Sequence, residues 1–126
     1  MEIRPHVVHE PDAPREAWDD PVRGRLSFRD VFSAHLTPTH ALTTGIAYLE
    51  PGEWLARHRH TPPEVYFVVD GAAVVFLDGV EHVVRPGSSV FVPGDVEHGI
   101  HNPYDAPMRF HYVFPVDSWD SVEYRF

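Results

Sequence analysis

His58, His60 and Glu64 stand within seven positions in HRHTPPEVYFVVDG, where a polar stretch runs into an apolar one. Alternate residues of a strand share a face, so His58 and His60 project to one side and Arg59 to the other. Glu64 follows Thr61-Pro62-Pro63 and opens the next run. If it points inward, so do Tyr66 and Val68, with Val65, Phe67 and Val69 packing behind them. Two imidazoles and a carboxylate converging in a barrel suit a borderline divalent ion, and His98, in VPGDVEHGIHN, can supply a fourth donor. A lone histidine beside a strand is most often a surface or hydrogen-bonded residue. HxH followed by a glutamate and a buried run is a costlier arrangement, because burying ionisable groups unpaired is strongly unfavourable. A metal supplies the missing counter-charge.

The elements that must hold these residues are short. From about Leu26 the chain is a series of β-prone runs: TTGIAYL, VYFVV, AAVVFL, EHVV, SVFVP and MRFHYVF. Turn pairs punctuate them at Pro51-Gly52, Asp70-Gly71, Asp78-Gly79, Pro86-Gly87 and Pro93-Gly94. Asp-Gly favours the type I′ turn of a tight hairpin, and Pro-Gly fits type II. Such spacing, without a helical period, predicts an all-β sandwich or barrel in a single domain. Residues 1–25, rich in Pro, Asp and Glu, read as an N-terminal arm that crosses the surface or pairs with a partner subunit, and residues 26–126 as the barrel. A weak helical turn is expected near Pro14–Asp19.

Composition narrows the chemistry. With no cysteine among 126 residues, disulfides, thiolate zinc sites and cysteine nucleophiles are excluded, so a metal must take nitrogen and oxygen donors. A net charge of −9 argues against nucleic acid as a partner. All ten basic residues are arginine, which excludes lysine Schiff-base chemistry. The apolar runs are too short and broken for a membrane span. MEIRPHVVHEPDAPRE lacks the apolar stretch of a secretory signal, so a cytoplasmic location is expected.

The stretch Gly52-EWLAR-His58-Arg59-His60-TPP-Glu64-VYFVVD-Gly71 resembles the first cupin motif, G-x5-H-x-H-x3-E-x6-G. Gly87-SSVFV-Pro93-Gly94-Asp95-VE-His98-GIH-Asn102 resembles the second, G-x5-P-x-G-x2-H-x3-N, with Asp95 where that motif has glycine. The resemblance implies a small jelly-roll-like β-barrel of the single-domain (monocupin) kind. It implies His58, His60, Glu64 and His98 as ligands of Fe, Mn, Ni, Zn, Co or Cu, and frequent dimerisation, here a homodimer. Four protein ligands leave room on such an ion for water or substrate, as a working metal requires.

Cupins host many reactions, so the barrel alone does not set the chemistry. Together with HRHTPPEVYFVV and EHGIHN, the ending MRFHYVFPVDSWDSVEYRF is similar to the small cupin lyases that cleave dimethylsulfoniopropionate (DMSP). That resemblance implies a small, carboxylate-bearing substrate on the metal. Tyr66 is then the candidate base for the proton alpha to the carboxylate, and Tyr124 a second candidate or hydrogen-bonding helper. Dimethyl sulfide leaves and acrylate remains. Tyr48, Trp54 or Tyr112 can offer an aromatic face to the sulfonium. The other readings are a cupin dioxygenase, a polyketide-cyclase-like enzyme, or a non-catalytic binding protein for a carboxylate or sugar. Among the remaining histidines, His111 can line the pocket or face water. His101 is expected at the surface; His82, His35 and His40 solvated; His6 and His9 in the arm. Trp119 is expected to anchor the tail.

Overall fold

The computed structural model describes residues 2–126. Ten strands follow in order: β1 (Arg15–Asp20), β2 (Gly24–Phe32), β3 (Thr43–Leu49), β4 (Trp54–His58), β5 (Glu64–Asp70), β6 (Ala73–Leu77), β7 (Val80–Val84), β8 (Ser89–Val92), β9 (His98–His101) and β10 (Met108–Phe114). Two single 3-10 turns, Glu10–Asp12 and Trp119–Ser121, are the described helical elements, and no described helix is long and apolar enough to cross a membrane. All strand pairs are antiparallel, in the order β7-β6-β9-β4-β2-β3-β10-β5-β8, with β1 added on β2. The all-β barrel expected from the sequence is the architecture found, as one curled sheet.

Alternation builds the core. Leu26, Phe28 and Asp30 of β2, Tyr66 and Val68 of β5, and Met108, Phe110, Tyr112 and Phe114 of β10 all point inward. Each buried large apolar side chain contributes about 1.5–3 kcal/mol. Val65 and Phe67 do not pack behind β5 as expected: they are among the exposed apolar residues, on the outer face of the sheet.

Two local expectations change. Pro14–Asp19 holds no helical turn; Arg15–Asp20 is a strand paired in register with Arg29–Gly24. The hydrogen bonds available along the edge of β2 decide this over weak helical propensity. The residues before it run over the surface. Of the two Asp-Gly pairs, Asp78-Gly79 alone has positive φ at both positions (45° and 87°), as type I′ requires, whereas in Asp70-Gly71 the positive φ falls on the glycine.

Candidate metal centre

His58 ends β4, His60 follows it, His98 begins β9 and Glu64 begins β5. All four are at most 4% exposed. In strand order β9 and β5 are five steps apart, a separation of roughly 24 Å in a flat sheet at ~4.8 Å per step. Yet Glu64 Oε1 lies 3.4 Å from His98 Nε2 and 3.1 Å from His60 Nε2. The curl of the sheet closes that gap, so the fold itself assembles the cluster.

A β-bulge aims the histidines. Leu55 pairs with Ile100 and His58 with His98, three residues on one strand against two on the other. The extra residue changes parity, so Leu55, His58 and His60 are all buried although Leu55 and His58 are an odd number apart. His58 and His98 then face each other with ring centroids 4.1 Å apart.

The backbone fixes each imidazole. Nδ1 of His58, His60 and His98 lies 2.7, 2.8 and 2.8 Å from the carbonyl oxygens of Ala56, Pro62 and Val96. A carbonyl only accepts, so each Nδ1 carries the proton and each neutral ring presents an Nε2 lone pair to the interior. One ligand nitrogen from each ring lies within 4.8 Å of the others. Nε2 of His58 and His98 are buried without a hydrogen-bond partner among the described residues, and Nε2 of His60 faces a carboxylate oxygen. Lone pairs converging on each other and on a carboxylate need a cation among them, either a proton or a metal ion. Burial, then the neighbouring histidines, pushes His58 down to about 3, which disfavours the proton there. Burial also acts to lower His60, but the hydrogen bond and charge of Glu64 outweigh it and raise it. The donor set thus fits a divalent transition metal, and carbonyl-held Nδ1–H groups are the usual outer support of metal-binding imidazoles.

Glu64, Tyr66, Tyr112, Trp18, Trp119 and Tyr124 border a cavity of about 30 Å³. Tyr66 is 1% exposed, and burial, followed by the charge of Glu64, holds its hydroxyl well above the ordinary tyrosine range. Tyr124 comes from the C-terminal tail, its ring centroid 5.0 Å from His58 and 5.2 Å from His60, and burial raises its hydroxyl as well. Two backbone bonds between Arg59 and Arg125 and an ion pair of Arg125 with Asp95 hold the tail.

The aromatic wall differs from the one expected. Tyr48 turns outward and donates to Glu10, and Trp54 flanks the outer face of β4 beside His101. Tyr112 borders the cavity, but its hydroxyl is engaged by Asp30 at 2.7 Å. Instead Trp18 of β1 packs edge-on against Phe28 and Tyr124, and Trp119 lies between them at 5.2–6.1 Å. Trp119 therefore borders the cavity as well as anchoring the tail. Among the other histidines, His111, His82 and His40 are exposed, and His101 is half-buried. His35 is exposed as expected, with its Nδ1 2.6 Å from Ser33 Oγ. Asp30, 1% exposed, was not foreseen, although its parity with Leu26 and Phe28 marks it as inward. Nothing in REAWDD marks Trp18.

The family model described as Cupin domain matches residues 45–114, more than half of the chain. Dimethylsulfoniopropionate lyase DddW of Ruegeria pomeroyi is 37% identical over 123 residues, which span 97% of this chain and 80% of that protein. Among solved structures, the polyketide cyclase RemF from Streptomyces resistomycificus superposes with a TM-score of 0.81 at 20% identity, over 97% of this chain and 84% of that one. An RmlC-like cupin from Shewanella frigidimarina gives 0.74 at 26% identity, over 95% and 98%. RemF speaks for the fold alone, whereas the family match and the lyase likeness cover the residues around the metal cluster: the chain belongs to the cupin domain family.

Proposed function

We propose that this protein is a metal-dependent lyase that cleaves DMSP into dimethyl sulfide and acrylate. The observation that carries this reading is the 37% identity to a DMSP lyase across 97% of the chain. The metal ligands are His58, His60, His98 and Glu64, and the ion is one of Fe, Mn, Ni, Zn, Co or Cu. A divalent ion so held supplies a Lewis acid for the substrate carboxylate.

The chain's own residues do the rest. Tyr66, two residues after Glu64 on the same inward face, removes the proton alpha to the carboxylate. The C–H electron pair becomes the new C=C bond as the C–S bond breaks, so dimethyl sulfide departs with its electron pair and one proton is left over. Burial keeps Tyr66 protonated on its own, so it acts as a base where positive charge nearby favours its phenolate. Tyr124, which borders the same cavity, is a second base or hydrogen-bonds the substrate. A cavity of about 30 Å³ holds roughly one water, so substrate entry displaces the aromatic wall of Trp18, Trp119 and Tyr124. The protein works as a homodimer, and the exposed Val65, Phe67 and Phe91, which lie on neighbouring strands β5 and β8, offer the apolar contact.

The test is headspace dimethyl sulfide from purified protein loaded in parallel with Fe(II), Mn(II), Ni(II) and Zn(II) and given DMSP. Acrylate should appear in equal amount with no oxygen consumed, and Tyr66→Phe should lose about a hundredfold or more in rate. No release from protein shown to be loaded would discard this substrate.

A further inference from the structure

Four inward positions lie in one row across four neighbouring strands. Tyr66 of β5 pairs with Tyr112 of β10, Tyr112 with Gly45 of β3, and Gly45 with Asp30 of β2. The glycine is what connects the row. A Cβ at position 45 would come within 2.1 Å of the Tyr112 ring, so only glycine lets that ring lie across β3 and reach Asp30. The Tyr112 hydroxyl donates to Asp30 Oδ1 at 2.7 Å. The other oxygen, Oδ2, is buried without a hydrogen-bond partner among the described residues, and His35 Nε2 lies 3.9 Å from it. The His35 side chain is 28% exposed, with Nδ1 beside Ser33 Oγ and Ser118 Oγ at 2.6 and 3.1 Å.

A tyrosine–aspartate bond could serve simply to tie β10 to β2. That role needs one carboxyl oxygen and leaves the burial of the second unexplained, since an unpaired buried polar oxygen costs stability. The lyase reading, on which this inference rests, supplies a reason. Each elimination leaves a proton in a cavity walled by aromatic rings, with room for about one water. We propose that Tyr112, Asp30 and His35 form a relay that carries this proton from the cavity to solvent.

The steps balance. Tyr112 accepts a proton on its oxygen from the cavity and passes its own to Asp30 Oδ1. Burial favours the neutral carboxylic acid at Asp30, against the Tyr112 hydrogen bond; Glu16 and Asp120 also raise it and His35 lowers it. The acid releases the proton it holds on Oδ2 to His35 Nε2, and rotation of the carboxyl restores the starting state. A small turn of the part-exposed imidazole, or one bridging water, spans the 3.9 Å. His35 then gives its Nδ1 proton to solvent by way of the Ser118 hydroxyl, and a flip of the part-exposed ring, or proton exchange with solvent, returns Nε2 to its accepting form.

Two measurements test the relay. In dilute, non-imidazole buffer, His35→Ala should lower the rate of dimethyl sulfide release about tenfold with little change in KM, and added imidazole should restore it while leaving the wild type unaffected. Tyr112→Phe and Asp30→Asn should lower the rate without such rescue. A His35→Ala enzyme as fast as wild type in dilute buffer, or slow whatever the imidazole concentration, overturns the proposal. The second measurement uses metal-free protein and no substrate: the Asp30 carboxyl resonance, followed by NMR through pH, should titrate at higher pH in His35→Ala, because His35 acts to lower it. Unchanged titration would mean that the two groups are not coupled and would also overturn it. If the loaded wild type releases no dimethyl sulfide, the lyase reading falls, and the NMR result alone decides whether the Asp30–His35 path exists.

Discussion

The three histidines and the aromatic strap that covers them reach one place by opposite means. His58, His60 and His98 sit on or beside paired strands, and each ring is locked by a bond from Nδ1 to a carbonyl two residues away. Their orientation is therefore set by the backbone, before any ligand arrives. Trp18, Trp119 and Tyr124 come from a flanking strand and from the chain after β10, and they hold one another through ring contacts of 5.6–6.1 Å. The backbone ties described for this last stretch are the Val116 carbonyl's bond from Thr43 Oγ1, the Asp117 carbonyl's bond from Ala34 N–H, the Arg59–Arg125 pair and the bonds around the Trp119–Ser121 turn. One region is preorganised to bind; the other can part without undoing the sheet. A site that must fix an ion and still admit a substrate needs both properties, and here they are assigned to different segments.

The largest expected effect separates the two regions at the metal. His98→Ala removes a ligand nitrogen outright, so metal affinity should fall by more than the 10–100-fold typical of losing an outer hydrogen-bond partner. Titration of metal-free protein with Zn(II) or Co(II) measures it. Affinity within a few-fold of wild type would show that His98 does not belong to the ligand set and would leave its buried Nε2 without a role.

Trp119→Ala disturbs the other region. Its ring packs on Phe28 at 5.2 Å and borders the cavity, so about 2 kcal/mol of stability should be lost, less than for a fully buried aromatic. Metal affinity should stay within about threefold, because no histidine depends on Trp119 for its orientation. Denaturant unfolding and the same metal titration read the two quantities. If affinity falls along with stability, strap and histidines form one cooperative unit and the contrast between them fails.

The same contrast explains what the sequence made legible. The HxHxxxE spacing with His98 could be read because strand parity and the cupin motifs act locally, and the structure gathers the side chains they named. The bulge between Leu55 and His58 has no composition of its own, and parity counted along β4 would have placed Leu55 outside. Asp30 carried a signal in its alternation with Leu26 and Phe28, but nothing local marks Gly45 as the gap through which Tyr112 reaches it. Tyr48 and Trp54 were expected at the cavity on aromatic character alone, and their outward parity decides against them. Trp18 could not be read at all. REAWDD has no apolar alternation, and it becomes a strand because β2 offers an edge.

The smallest expected effect concerns the residue that departs from the cupin pattern. Asp95 has φ of 63°, the left-handed region where glycine is at ease and aspartate is tolerated. In exchange its carboxylate pairs with Arg125 and its carbonyl accepts from Arg59, which tethers the tail bearing Tyr124. Asp95→Gly relieves the backbone and removes an exposed ion pair worth about 0–1 kcal/mol, so global stability should change by less than about 1 kcal/mol in either direction. The tether should change more visibly. Acrylamide quenching of tryptophan fluorescence should increase with salt in the wild type, as the ion pair is screened, and be higher but insensitive to salt in Asp95→Gly. Quenching that ignores salt in both proteins would mean that the two Arg59–Arg125 backbone bonds hold the strap by themselves. In that case the strap is closer to the preorganised histidines than to a part that opens, and Asp95 stands where glycine would serve equally well.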